Sequence, residues 1–318
     1  MIVSAMQVGR RKAFKLALVV SLFFATECDR EEDIRGAGIQ PRIEVIPPEI
    51  PPGAPVAVTY NWNVDPGSTV PSEPYGAFIH FVDGDGALLF VDDHVPQPPP
   101  TAWRAGQRYS YSRLVLTRIV PYVGDIEVRV GLYPLSGRGE RWALKGRHRG
   151  LREYAVGRLT LFRRDRKREP VYREGFGPVS SWSNAPFDHS RTMSRKARIK
   201  FKNPGAVTIV FIDALAETNA APRASQLKLQ LRSGWRAFLP FVGGAIRAAV
   251  RLPHESLGQN AWVSMHLLAG QASVPGKSRI NDSNSELLVH VRGIFIMRED
   301  ECSAALSPWI ITASRQNQ

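Results

Sequence analysis

Tyr75–Pro96, YGAFIHFVDGDGALLFVDDHVP, decides the fold class. Its two apolar runs, Ala77–Val82 and Ala87–Val91, flank Asp83-Gly84-Asp85-Gly86. An Asp-Gly tetrad supplies the positive φ angles that a tight hairpin needs. Both runs are apolar on either side of the pleat, which predicts two strands in the middle of a covered sheet.

Strand patterns continue outward from this hairpin. Val56, Val58, Tyr60, Trp62 and Val64 alternate with Ala57, Thr59, Asn61 and Asn63, giving one buried and one wet face. Trp103–Gln107 introduces a strand over Arg108–Leu116, and Ile126–Leu132 alternates again. Ser136-Gly137-Arg138-Gly139 turns the chain before Arg141–Leu144, and Glu153–Phe162 closes the set. About seven strands over residues 51–162 is an Ig-like sandwich count, without the Cys–Trp–Cys spacing of antibody domains.

The same grammar returns beyond a basic linker, residues 163–171. Ala197, Ile199 and Phe201 alternate with Lys196, Arg198, Lys200 and Lys202, while Leu227, Leu229 and Leu231 form a second inward face. Val207–Ile212, Ile246–Leu252, Trp262–Leu268 and Leu287–Ile296 read as further strands. Phe238–Val250 is apolar, but Pro240 and Gly243-Gly244 argue against a helix or a membrane span. The expectation is an all-β protein of two β-sandwiches, Ig-like over 51–162 and jelly-roll-like over 172–298. Residues 299–318 read as a tail.

Composition agrees. The chain is 43% hydrophobic and 22% charged, with 24 prolines and 26 glycines, the profile of a globular β protein. Forty-two Lys+Arg against 29 Asp+Glu leave a net charge of +13, which favours anionic partners such as phospholipid head groups or phosphorylated glycans. No helix for a major groove and no aromatic-lined basic groove stands out, which argues against nucleic acid. Two cysteines, Cys28 and Cys302, build neither a zinc site nor a disulfide framework. Nothing calls for a cofactor.

Arg10, Arg11, Lys12 and Lys15 precede the apolar run Leu16–Ala25, and Glu27–Glu32 is polar. The run is short for a membrane span and right for a signal-peptide core. Residues 1–27 therefore read as a signal peptide, with a retained membrane anchor as the alternative, and 28–50 as a tether. Ala25-Thr26-Glu27-Cys28 resembles a bacterial lipobox, from which Glu27 departs because that pattern wants a small residue there. The resemblance implies lipidation of Cys28. A spare thiol in a periplasmic or secreted protein, or a Cys28–Cys302 disulfide, is the other reading.

Residues 75–160 resemble an Ig-like module of uncharacterised bacterial envelope proteins, also found after the membrane portion of some glycosyltransferases. The matching text is AFIHFVDGDGALLFVDDH, Trp103–Gly106, RVGLYPLSGRGERWAL and GLREYAVG. Residues 172–296 resemble the carbohydrate-binding-like sandwich that accompanies it, through YREGFGPVSSW, KARIKFKNPGA, SVPG and NDSNSELLVHVRGIFI. The resemblance implies an envelope protein in a carbohydrate or glycoconjugate context and brings no catalytic residues. Met193 stands where such modules tend to place an aromatic.

Several residues are candidate sites. Asp83 and Asp85 resemble the start of a calcium loop, but the downstream acidic ligand is missing and hairpin chemistry alone explains them. His80, on an apolar strand, is expected to be a core histidine. Asp92-Asp93-His94 reads as a polar strand end or a capped turn. Trp103, Trp142, Trp182 and Trp235 fall in turns or at strand ends and are the expected exposed sugar platforms. Trp62 and Trp262 fall within strands. No Gly-x-Ser-x-Gly or His-Glu-x-x-His occurs. The resulting functional expectation is a non-catalytic exported envelope protein that binds a glycan or another protein. An exported enzyme acting on glycans, or an assembly module pairing through sheet edges, are the alternatives.

Overall fold

A computed structural model describes residues 38–163, 169–181, 189–193, 195–216, 225–271 and 288–312. The first sandwich is built from β1 (Ile39–Ile46), β2 (Glu49–Ile50), β3 (Pro55–Val64), β4 (Tyr75–Val82), β5 (Leu88–Val91), β6 (Arg108–Leu116), β7 (Gly124–Pro134), β8 (Arg147–His148) and β9 (Tyr154–Leu161). One sheet runs β1-β3-β6, the other β2-β9-β7-β4-β5 with β8 on β9. The alternation in β3 does what its sequence demands: Val56, Val58, Tyr60, Trp62 and Val64 are all buried.

The second sandwich comprises β10 (Val171–Tyr172), β11 (Phe176–Ser181), β12 (His189–Met193), β13 (Lys196–Lys202), β14 (Thr208–Ala216), β15 (Ser225–Leu231), β16 (Arg236–Pro240), β17 (Ala245–Leu252), β18 (Trp262–Gln271), β19 (Val289–Arg298) and β20 (Ile310–Thr312). A five-stranded sheet, β10-β13-β18-β15-β16, faces a six-stranded one, β11-β12-β19-β14-β17-β20. A single helical turn, His254–Leu257, joins β17 to β18. The all-β, two-sandwich expectation holds.

The six-stranded sheet is covered on both faces. Val210, Ile212, Val250 and Ile296 point into the second sandwich. Ile209, Phe211, Ala249 and Phe295, of opposite parity, join the core of the first. This double burial is why β14 reads TIVFIDALA, nearly without a polar break. Full burial of side chains such as Ile209 and Phe211 stabilises this docking by roughly 1.5–3 kcal/mol each.

Three expectations need correction. Part of the supposed tether is strand: Ile39–Ile46 pairs along the whole of β3 to Ala57, and Ile50 is 3% exposed. Alternating side chains (Ile39, Val45) bury there despite the intervening prolines and charges. The supposed tail is structured as well. Ala304–Trp309 forms a 3-10 helix that buries Leu306, and Ile310–Thr312 pairs in parallel with β17. Lastly, β5 is an edge strand, not a central one. It reads as apolar because Leu89 and Phe90 both bury in the first core, Phe90 stacked on Phe81 with ring centres 4.3 Å apart.

Candidate functional site

Three polar assemblies stand out from the framework. The first lies at the junction of the sandwiches, where Asp92 follows β5. Its carboxylate, 2% exposed, receives both Nε (2.9 Å) and Nη2 (3.1 Å) of Arg113 from β6. It also accepts from the Tyr60 hydroxyl (3.0 Å) and from Arg247 Nη1 of β17 (2.7 Å). Burial pushes the Asp92 carboxyl up, but Arg247 and Arg113 outweigh it and hold the pKa down at about 2. His94 sits beside it. A carbonyl only accepts, so Nδ1–H donates to the Asp92 carbonyl (2.6 Å), and Nε2 accepts from the Tyr111 hydroxyl (2.7 Å). Burial lowers the His94 pKa to about 4 in spite of Asp92. Arg118 Nη1 reaches Asp213 Oδ2 (3.2 Å), a second buried ion pair across the same junction. An aspartate pinned in its ionised form by two guanidiniums moves no proton near neutral pH. The arrangement is a lock between sandwiches.

The second assembly covers the outer face of the β7-β4 pair. Glu127 binds Arg129 (2.8 Å) and Arg149 (2.6 Å), and Glu153 meets Arg141 (3.1 Å) and His80 (3.3 Å). The Glu127 carboxyl is raised by burial but lowered more by the two arginines, so it lies below its usual range. Arg141 caps the Phe78 ring at 4.2 Å. His80, expected in the core, is instead a half-buried partner of Glu153 on this outer face, because its neighbours Ile79 and Phe81 take the inward parity.

The third is the outer face of β13-β18-β15-β16. Antiparallel register lays residues out in rows: Lys202 beside Trp262; Lys200 beside Ser264; Arg198, His266, Gln230 and Arg236; then Lys196, Leu268, Lys228 and Phe238. Val263, Met265, Leu267, Leu227 and Leu229 fill the opposite face. Trp262 and Phe238 are 46% and 43% exposed at opposite corners. They lie about 20 Å apart along the strands. Lys228 Nζ stands 6.0 Å from the Phe238 ring centre. Arg198 is also paired with Glu174. Within this face Arg198 Nε, Ser264 Oγ and His266 Nδ1 are closed off from solvent without a hydrogen-bond partner. Each such atom costs about 1–3 kcal/mol. Burial, then Lys196, Arg198 and Arg232, lowers the His266 pKa, so the ring is neutral near pH 7.

The tryptophans fall differently from expectation. Trp103 is core, 3% exposed, packed between Trp62 (5.1 Å) and Tyr109 (5.6 Å). Its Nε1–H is satisfied by the Pro98 carbonyl (2.9 Å), so the turn folds the ring inward and leaves no face for a sugar. Trp142 is half-buried, edge-on to Tyr75 at 5.7 Å, and Trp235 is half-buried against the second core. Trp182 and Cys28 lie outside the described residues. Trp262 was legible by parity, since it alternates with Val263 and Met265 on the side of the lysines. Asp83 Oδ1 accepts from the backbone N–H groups of Asp85 (3.0 Å) and Ala87 (2.8 Å), which makes it a turn residue, with Asp85 exposed at the tip.

No protein-family model matches the chain, and no curated protein does. Among solved structures, TmCBM61 in complex with β-1,4-galactotriose is 9% identical over 41% of this chain and 87% of its own, at a TM-score of 0.24. The CBM22-1–CBM22-2 tandem of Paenibacillus barcinonensis Xyn10C is 11% identical over 78% and 80%, at 0.27. The M60 catalytic domain of Clostridium perfringens ZmpB with its CBM51 domains is 9% identical over 82% and 31%, at 0.27. Scores this low say nothing of what this chain binds.

Proposed function

We propose that this chain is a non-catalytic glycan-binding protein of the cell envelope whose ligand lies on the outer face of β13-β18-β15-β16. The observation that carries the reading is the layout of that face. Two exposed aromatic rings, Trp262 and Phe238, bracket a field of hydrogen-bonding side chains on a regular sheet. A sugar presents C–H faces to aromatic rings and hydroxyls to donors and acceptors, and both are supplied here. The non-catalytic part is supported by the state of the carboxylates. Asp92, Glu127 and Glu153 are each engaged by arginines, which suits structure better than proton transfer.

The test is affinity electrophoresis of the full chain through gels carrying neutral and acidic polysaccharides, with Trp262→Ala alongside. Retardation by at least one polymer, reduced in the variant, is expected; free migration through all of them overturns the reading. Export rests on the basic n-region and the apolar run Leu16–Ala25, and anchoring on Cys28. Intact mass of membrane-derived protein checks both. A diacylglyceryl mass gain lost in Cys28→Ser is expected, and an unmodified chain starting upstream of Cys28 rules the lipid anchor out.

A further inference from the structure

We infer that the ligand of this face is an acidic polysaccharide, one whose sugars carry carboxylate or sulfate groups. The inference rests on the glycan-binding reading and names the ligand's charge. Lys196, Arg198, Lys200 and Lys202 come from β13, Lys228 from β15, Arg236 from β16, and Arg232 from the turn between the last two. No carboxylate occurs in β10, β13, β15, β16 or β18, and Glu174, outside these strands, pairs with Arg198. A sheet face that only needed to be wet would mix both signs. This one sums one sign over three strands and a turn, and the potential of such a face draws anions.

The register gives that charge a geometry. Arg198, His266, Gln230 and Arg236 form one cross-strand row in which a guanidinium stands at each end and neutral hydrogen-bonding groups stand between. Neighbouring strands are about 4.8 Å apart, so the two guanidiniums flank a span of about 14 Å. Guanidinium forks suit carboxylate and sulfate oxygens, while a neutral imidazole and an amide suit hydroxyls. Arg198 Nε and His266 Nδ1 lie within that row, Ser264 Oγ one row away, and none of the three has a hydrogen-bond partner. Beyond the row, Gly270 has nothing within 4 Å of where a side chain would begin, which leaves the sheet surface open.

Charge alone would also draw nucleic acid. The rings on this face argue for sugar instead. Single-stranded nucleic acid needs closely spaced rings for successive bases, and Trp262 and Phe238 are about 20 Å apart along the strands, with the small His266 imidazole as the ring between them among the described residues. No helix enters a groove from here either.

The test is isothermal titration of the full chain with a polyuronate, a sulfated polysaccharide, a neutral polysaccharide and a single-stranded oligonucleotide, at 50 and 200 mM salt. Arg198→Gln/Arg236→Gln is compared with Arg42→Gln/Arg138→Gln, two cations of the first sandwich, and circular dichroism verifies folding. Expected is binding of the polyuronate or the sulfated polymer, at least tenfold weaker at the higher salt and at least tenfold weaker in the first variant only. Preference between the two acidic polymers identifies the charged group. Equal, salt-insensitive binding of the neutral polymer overturns the acidic ligand but leaves glycan binding standing. Binding of no polysaccharide overturns both, and tighter binding of the oligonucleotide overturns the inference in favour of nucleic acid.

Discussion

Arg247 Nη1 of the second sandwich donates to Asp92 Oδ1 of the first at 2.7 Å, across 155 residues of chain. From its own sandwich Asp92 is bound by Arg113, Tyr60 and His94. The contact joins a charge pair to an apolar seam that contains Phe211, Ala249 and Leu306. Two sandwiches that share a seam of this kind are expected to unfold in a single transition in urea.

Arg247→Ala leaves Asp92 buried with one guanidinium instead of two. Stability should fall by about 3 kcal/mol, the lower end for a broken buried pair, because Arg247 is itself a quarter exposed and Arg113 remains. Urea unfolding followed by tryptophan fluorescence measures this. A loss below about 0.5 kcal/mol would show that Arg113 alone suffices.

His94 makes the same junction sensitive to acid. Its folded pKa is about 4 against the ordinary histidine value of 6.5, so between those values the unfolded chain binds a proton that the folded chain refuses. Stability is therefore complete above about pH 6.5 and declines as pH falls toward 4, by up to roughly 3 kcal/mol. Asp92, depressed from 3.8 to about 2, extends the same decline below pH 4. Melting temperatures taken from pH 7 to 3 should show both windows, and His94→Phe should flatten the upper one. Parallel curves for the two proteins would remove His94 from the account.

Much of the fold was legible because alternation reports burial directly: β3 and β13 each place their apolar residues on the inner face. Local pattern could not report the partner of a face. The continuous run in β14 says that both sides are covered, yet only the structure says that one cover is the first sandwich. The candidate site was half legible. Lys196 to Lys202 announces a charged outer face on one strand, but the row through His266, Gln230 and Arg236 exists only once four strands are in register. Turn position misled for Trp103, because a turn can fold a large ring back onto the core as readily as present it to solvent.

The chain's last described segment should behave as core. Leu306 is 1% exposed and seals the seam from a 3-10 helix, so Leu306→Ala removes buried methyl groups and leaves a cavity. A loss of about 3 kcal/mol is expected in urea unfolding. Surface-like tolerance, within about 0.5 kcal/mol, would return this segment to the status of an appendage.

Trp103 and Trp262 should separate stability from binding. Trp103→Ala empties a space lined by Trp62 and Tyr109 and should cost about 3–5 kcal/mol of stability. Trp262→Ala removes a ring that is nearly half exposed, so its effect on stability should stay within about 0.5 kcal/mol. Binding should show the reverse order. Loss of the Trp262 ring removes about 1 kcal/mol of contact, roughly fivefold in Kd for the polysaccharide that the native chain retains. A conservative Trp262→Phe should recover most of it, because an aromatic face survives. If Trp262→Ala binds as the native chain does while Phe238→Ala fails, the ligand lies over the β15-β16 side of the sheet. If neither substitution alters binding, the aromatic corners take no part, and the cations carry recognition alone.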